Sequence, residues 1–207
     1  MSRVVVIDHP LVQTKLGLLR DQNTSTAEFR RTLRETAALM FFVATNDLPA
    51  HQITVQTPLA PCAATTVTRP LILAPILRAG LGLLEGLFEL VPDAQVAHIG
   101  IYRDERTLEP VSYYAKVPPG IAEAEVILLD PMLATGHSAS AAATALKKAG
   151  ARSVRFLNLV SSPQGIETFH AVHPESVIYT AAVDDGLNER GYIVPGLGDA
   201  GDRFFGT

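Results

Sequence analysis

The sequence has a single cysteine, Cys62, and so no intrachain disulfide. That argues against a secreted scaffold stapled by cross-links. Cys62 stands among Pro, Ala and Thr with no basic neighbour, so it reads as a small, buried or half-buried filler rather than a nucleophile. No run reaches the ~20 apolar residues that a membrane span needs. Residues 1–10 carry Asp8 and His9 instead of a long apolar stretch, which is unlike a signal peptide. A cytoplasmic protein without membrane contact is the expectation. Positive charge is scarce too. Lys and Arg number 17 against 21 Asp and Glu, a formal net charge of −4, with no basic cluster along the chain. The electrostatic footprint of a nucleic-acid binder is missing, and no nucleic-acid partner is expected. Internal repeats are absent as well.

What remains is an ordinary globular chain of 207 residues, 47% hydrophobic and 18% charged, long enough for one domain with a sizeable core. Its organising stretch is 126–150, VILLDPMLATGHSASAAATALKKAG. Val126 to Leu129 is too short for a helix and reads as a buried parallel strand. Ser138 to Ala149 is rich in good helix formers, has Lys147 and Lys148 in its last turn, and is followed by Gly150, as a helix end prefers. Between them lie Asp130 and the small residues Ala134-Thr135-Gly136-His137-Ser138. Small residues let backbone N–H groups converge, and a helix N-terminus adds its positive dipole end, which together form a phosphate cradle. Asp130 would repel a phosphate, but it suits hydroxyl donors or a metal-bound group. An acid followed by a phosphate cradle is what a ribose 5-phosphate requires. The bland alternative is an ordinary strand–loop–helix joint with Thr135 or Ser138 as a cap.

The rest of the chain alternates strands with helices. Val4 to Ile7 reads as a strand and Leu11 to Arg20 as a helix. Ser25 and Glu28 have capping-box spacing before a long helix, along which Phe29, Leu33, Ala37, Met40, Ala44 and Leu48 form one apolar stripe. Arg30, Arg31 and Arg34 fall off that stripe and read as a solvated face. Ile53 to Thr57 alternates as a strand, and Ala60 to Thr68 reads as an exposed arm or loop. Further strands are expected at Leu71–Pro75, 95–102, 153–160 and 177–183, with helices at 81–91 and 164–172. Residues 103–119, charged, Pro-flanked and with two tyrosines, suit a hairpin or flap. This order predicts a parallel α/β sheet with helices on both faces. In such sheets ligands lie beyond the carboxyl ends of the strands. Arg78, Arg103 and Asp130 all follow strands, so they are expected to face one crevice, with two guanidinium forks suited to phosphate oxygens.

These residues carry a resemblance. DPMLATGHS at 130–138, PILRAGLG at 75–82, HIGIYRDERTLEPVSYYAKVP at 98–118 and the tail GYIVPGLGDAGDRFFGT at 191–207 resemble the uracil phosphoribosyltransferases, and HPLVQTKLGLLRD and TSTAEFRRTL near the N-terminus match the same pattern. The resemblance spans nearly the whole chain, and its tail is the part other phosphoribosyltransferases lack. It implies a Rossmann-like type I phosphoribosyltransferase fold: a central, mainly parallel sheet flanked by helices, with an active-site flap and a C-terminal base-binding hood. The single domain would cover 1–207, with a helical segment at about 1–50 and the base-binding segment at about 184–207.

The resemblance further implies transfer of the 5-phosphoribosyl group of phosphoribosyl diphosphate (PRPP) to uracil, giving UMP and diphosphate in pyrimidine salvage. Catalytic roles fall to Asp130, Arg78, Arg103 and Asp199. PRPP would be bound by Arg78, Arg103, Asp130, Pro131, Met132, Leu133, Ala134, Thr135, Gly136, His137, Ser138 and Asp199. Asp130 would take the ribose hydroxyls, 134–138 the 5-phosphate, and the two arginines the diphosphate. Uracil would be read by main chain at Ile193, Gly198, Asp199 and Ala200. Mg²⁺ is the implied cofactor, bound chiefly through PRPP and water near Asp199. GTP as an effector and a homodimer or larger homo-oligomer come with the resemblance. The alternatives on the same fold are a PRPP- or nucleotide-sensing regulator without catalysis, and a transferase for another base. The chain departs from the family pattern at His137, where glycine is usual, and at Thr14, Val43, Asn46 and Gln164. If position 137 needed positive φ, its side chain would cost about 1 kcal/mol or more.

Overall fold

The computed structural model describes residues 4–103 and 110–207. In chain order the elements are β1 (Val4–Val6), α1 (Pro10–Arg20), α2 (Thr26–Ala44), β2 (Ala50–Gln56), β3 (Pro61–Val67), β4 (Leu71–Leu77), α3 (Gly80–Leu87), β5 (Gln95–Val96), β6 (His98–Arg103), β7 (Pro110–Lys116), β8 (Glu125–Leu129), β9 (Met132–Leu133), α4 (His137–Lys148), β10 (Val154–Ser161), α5 (Pro163–Val172), β11 (Ile178–Val183), β12 (Gly186–Leu187), β13 (Ile193–Val194) and α6 (Ala200–Phe205).

The central sheet runs β1-β11-β10-β8-β4-β6-β7. Its pairings are parallel except for β6 with β7, which is antiparallel. β8 lies mid-sheet and is buried along its whole length, as expected of an apolar run covered on both faces. Strand alternation divides its side chains between two cores. Ile127 and Leu129 join Phe29, Leu33, Leu16, Leu83 and Phe204 from α2, α1, α3 and α6 on one face. Val126 and Leu128 join Ala142, Ala143, Leu146 and Phe169 from α4 and α5 on the other. A strand with period 2 between two apolar helix layers is apolar on both faces; Glu125, the buried first residue of β8, is the exception and accepts from Arg69 Nη1 at 3.0 Å.

Local signals in the sequence are mostly honoured. Ser25 Oγ accepts the Glu28 N–H at 3.3 Å, but only half of the capping box forms, because the Glu28 carboxylate turns to Arg31 Nη2 at 2.9 Å. The expected stripe is buried from Phe29 to Ala44; Leu48 lies past the helix end. Arg31 and Arg34 are solvated as expected, whereas Arg30 is not. Arg30 Nε donates to the Phe204 carbonyl at 2.5 Å, and its guanidinium lies 5.7 Å from the Phe204 ring centre, so it ties α2 to α6. Helix α3 ends at Leu87, shorter than expected, and the strand at 95–102 is interrupted between β5 and β6.

The segment 50–67 is an antiparallel hairpin, β2 with β3, that pairs with no other strand among the described residues. Its residues are almost all exposed. Cys62 is therefore exposed, not the filler its neighbours imply, because the arm leaves the core before that residue is reached. Residues 103–119 likewise contain a hairpin strand, β7, whose Pro110 pairs with Arg103; residues 104–109 of the expected flap lie outside the described residues.

Candidate active site

The carboxyl ends of β4 and β8 meet in a close contact. Gly80, the first residue of α3, is packed so closely that a Cβ there would sit 2.4 Å from the Leu129 carbonyl oxygen. This contact brings the Arg78-Ala79-Gly80 turn against Asp130 at the end of β8. The loop at 134–138 is built with the same economy. Gly136 precedes α4 with φ 83°, and a Cβ on it would lie 2.6 Å from the Gly165 carbonyl oxygen. Glycine is required there for conformation and for space. The loop is braced from behind by Ser162, whose Oγ donates to the Ala134 carbonyl at 2.6 Å and whose N–H donates to the Leu133 carbonyl at 2.9 Å. Among the described residues no side chain caps α4. Its first-turn N–H groups, which no helical carbonyl can satisfy, are left at the positive dipole end.

The tail closes the opposite side. β12 and β13 form a short hairpin, with Asn188 Oδ1 accepting the Arg190 and Tyr192 N–H groups, both at 3.0 Å. Past β13 the chain turns through Gly196 and Gly198, at φ 60° and 76°, into α6. Asp199 caps α6, its Oδ1 accepting the Asp202 N–H at 2.9 Å.

The 134–138 loop, the end of β8 and the tail line one cleft of about 250 Å³. Asp130, Met132 to Gly136 and Ser138 form one wall, and Ile193 and Gly198 to Ala200 the other. Asp130 is half-buried in that first wall. Burial pushes its carboxyl up to about 7; the Met132 N–H it accepts opposes the rise, and the negative Asp199 across the cleft adds to it. A second depression, lined by Arg78, Tyr102 and Tyr113, shares Ala79, Asp199 and Gly201 with the first. Two carboxylates converge on a space flanked by helix-end donors and one guanidinium, an arrangement suited to a ligand with hydroxyls in the middle and phosphates at both ends.

Comparison with known proteins agrees with this geometry. The family model described as uracil phosphoribosyltransferase matches residues 6–207. The chain belongs to the uracil phosphoribosyltransferase family. A relative from Thermoanaerobacter sp. (strain X514), described as uracil phosphoribosyltransferase, is 55% identical over 207 residues, covering 100% of this chain and 99% of its own. One of the same description from Acholeplasma laidlawii is 52% identical, with 100% of both chains covered. A solved structure from Aquifex aeolicus superposes with a TM-score of 0.93 at 35% identity, covering 98% of this chain and 97% of the other. The adenine phosphoribosyl transferase of Trypanosoma brucei superposes at 0.61 and 12% identity over 92% of this chain and 88% of its own, a likeness of fold alone. The expected type I phosphoribosyltransferase fold is the one found.

Against the uracil phosphoribosyltransferase pattern, the expected site residues fall into four groups. Asp130, Met132, Leu133, Ala134, Thr135, Gly136, Ser138, Ile193, Gly198, Asp199 and Ala200 share the cleft. Pro131 and His137 do not line it. His137 is the exposed first residue of α4, so the positive φ falls on Gly136 and the departure from glycine costs no backbone strain. Arg78 lines the adjoining depression, where its Nη2 donates to Asp202 Oδ1 at 3.2 Å and its guanidinium lies 5.5 Å from the Phe205 ring centre. Arg103 ends β6, and its side chain lies outside what is described. Ala79, Tyr192 and Gly201 also line the cleft, and Tyr102 and Tyr113 stand beside Arg78. Tyr192 and Gly201 lie inside the quoted tail and could have been named from it; the tyrosine pair depends on the pairing of β6 with β7.

Proposed function

We propose that this chain makes UMP and diphosphate from uracil and PRPP, and that the cleft is its site. One observation carries the reading. A strand-end acid, an uncapped helix N-terminus and the family's tail meet in a single cavity. In this reading Asp130 accepts hydrogen bonds from the ribose hydroxyls. The N–H groups of 134–138, with the Thr135 and Ser138 hydroxyls, receive the 5-phosphate. Arg78 leaves Asp202 for the diphosphate, where Arg103 joins it. Main-chain groups of Ile193 and 198–200 read uracil, and cytosine, with an amino group at C4 and no N3–H, leaves them unpaired.

Glycosyl transfer passes through an oxocarbenium-like state. Negative charge then grows on the leaving diphosphate, and fixed cations beside it lower the barrier. Among the described residues no cluster of three or more His, Cys, Asp or Glu could hold a metal. The two carboxylates of the cleft, Asp130 and Asp199, suit a Mg²⁺ held chiefly by PRPP and water with Asp199, since Mg²⁺ commonly binds through phosphates and one or two carboxylates. Bound there, the ion would neutralise the leaving diphosphate and relieve the repulsion between Asp130 and Asp199. GTP activation, a dimeric or larger assembly and a cytoplasmic location complete the proposal; among the described residues no helix is long and apolar enough to cross a membrane.

The test is release of UMP and diphosphate from PRPP and Mg²⁺ with uracil, cytosine, hypoxanthine and adenine in turn, each with and without GTP. Turnover with uracil alone is the expected result. Saturable PRPP binding with no turnover on any base would replace the enzyme by a sensor.

A further inference from the structure

The backbone assigned to base reading has little regular structure of its own. β13 is two residues long, and the turn after it passes through two glycines at positive φ. Groups that recognise a ligand through N–H and C=O must be held to a fraction of an ångström. The bonds that hold this segment come from distant parts of the chain. Arg20, the last residue of α1, donates Nη2 to Asp184 Oδ1 at 2.6 Å and Nη1 to Asp184 Oδ2 at 2.7 Å. The same Nη1 donates to the Gly196 carbonyl at 2.7 Å, and Asp184 Oδ2 accepts the Gly196 N–H at 2.8 Å. Both backbone groups of Gly196 are thus tied to one ion pair. Its acid is buried, with 5% of the side chain exposed.

Gly196 cannot move alone. A Cβ on it would lie 2.2 Å from the Ile193 carbonyl oxygen, so the turn is folded directly onto Ile193. A second tie lies next to the first. Arg203 Nη1 donates to the Leu197 carbonyl at 2.9 Å and also to the Leu19 carbonyl, while its Nη2 donates to the Asp21 carbonyl at 2.6 Å. Residues 19–21 therefore grip residues 196 and 197 from outside. Neither Arg20 nor Asp184 lines the cleft. The phosphate loop is held by other partners, through Ser162 and Gly165.

We infer that Arg20 and Asp184 are positioning residues for base selection. Their fork-to-carboxylate pair fixes the peptide groups on both sides of Gly196, and so sets Ile193 and 198–200 against the base. The inference rests on the reading that this backbone binds uracil. A lysine at 20 is one point charge, and it cannot replace a fork that meets two carboxylate oxygens and a carbonyl together.

Steady-state kinetics of Arg20→Lys and Asp184→Asn test it, with uracil and PRPP each varied against saturating partner. Expected is a rise in KM for uracil of about tenfold, and a loss of selection against cytosine of about tenfold, since both depend on paired polar groups. KM for PRPP should stay within about twofold, a split that general loosening of the fold would not give. Arg20→Lys is the milder change and decides the matter alone should Asp184→Asn fail to fold. Unchanged kinetics, or equal rises in both KM values, overturn the inference while wild-type turnover of uracil leaves the base-reading role standing. Absence of uracil turnover in the wild type overturns that role and the inference with it.

Discussion

Asp130 is expected to weaken the ligand-free fold above pH 7. Its carboxyl is raised from 3.8 to about 7, first by burial and then by Asp199. A raised acid favours the folded state in its protonated form. The stability it contributes is complete below about pH 4 and is lost as pH rises through 7. The shift is 7 − 3.8, about 3 pH units, and each unit is worth 1.36 kcal/mol, so the ionised carboxylate costs at most about 4 kcal/mol at pH 8. Asp130 keeps some contact with water in the cleft, which lowers that ceiling. An asparagine in its place would have the same shape and no charge. Asp130→Asn should therefore abolish UMP synthesis while stabilising the ligand-free protein at pH 8.

The same variant should lose most of that advantage in acid. Between pH 8 and pH 5 the wild-type carboxyl regains roughly two units' worth, so the gap between variant and wild type should narrow by about 2–3 kcal/mol. For a chain of this size that corresponds to about 5–10 °C in Tm. Urea unfolding of both proteins at pH 5, 6.5 and 8, at one protein concentration and without ligand, measures it. A gap constant within about 0.5 kcal/mol over that range would show that Asp130 does not titrate there, and the reasoning from burial would fail.

Three further changes separate the parts of the cleft. Gly136→Ala forces a side chain into positive φ and against the Gly165 carbonyl; it should cost about 1–3 kcal/mol of stability and raise KM for PRPP at least tenfold, as denaturation and kinetics would show. His137→Gly should leave kcat/KM within roughly tenfold, because the side chain at 137 is outside the cleft; a larger loss would give His137 a direct role. Arg78→Lys keeps the charge but loses the fork, so KM for PRPP should rise about tenfold with KM for uracil little changed, in the same two-substrate assay.

Much of this site could be read from contiguous residues. The strand at 126–129, the small-residue loop and the helix after it follow one another directly, and their conformations depend on neighbours a few residues away. Periodicity showed which side chains of α2 are buried, because a helix presents every third or fourth residue to one face. Family resemblance then supplied the role of the tail, whose glycine-rich sequence alone does not point to a base. The reading erred where a residue's surroundings come from elsewhere. Cys62 has the small neighbours of a packed residue but sits on an arm that pairs only with itself. Arg30 has the spacing of a solvated residue, yet α6 folds back over it.

The sequence by itself determined the fold class, the family and the order of a strand-end acid followed by a small-residue loop and a helix, since these are local or periodic properties; that the positive φ falls on Gly136 and not on position 137 was left to the structure. Only the tertiary structure decided that Asp199 stands near enough to Asp130 to raise its pKa. It also showed that Arg78 rests on Asp202 and Phe205, and that Arg20 holds Gly196 from 176 residues away. Those are contacts between segments whose separation along the chain carries no period, and packing of the two cores against the sheet is what brings them within hydrogen-bond reach.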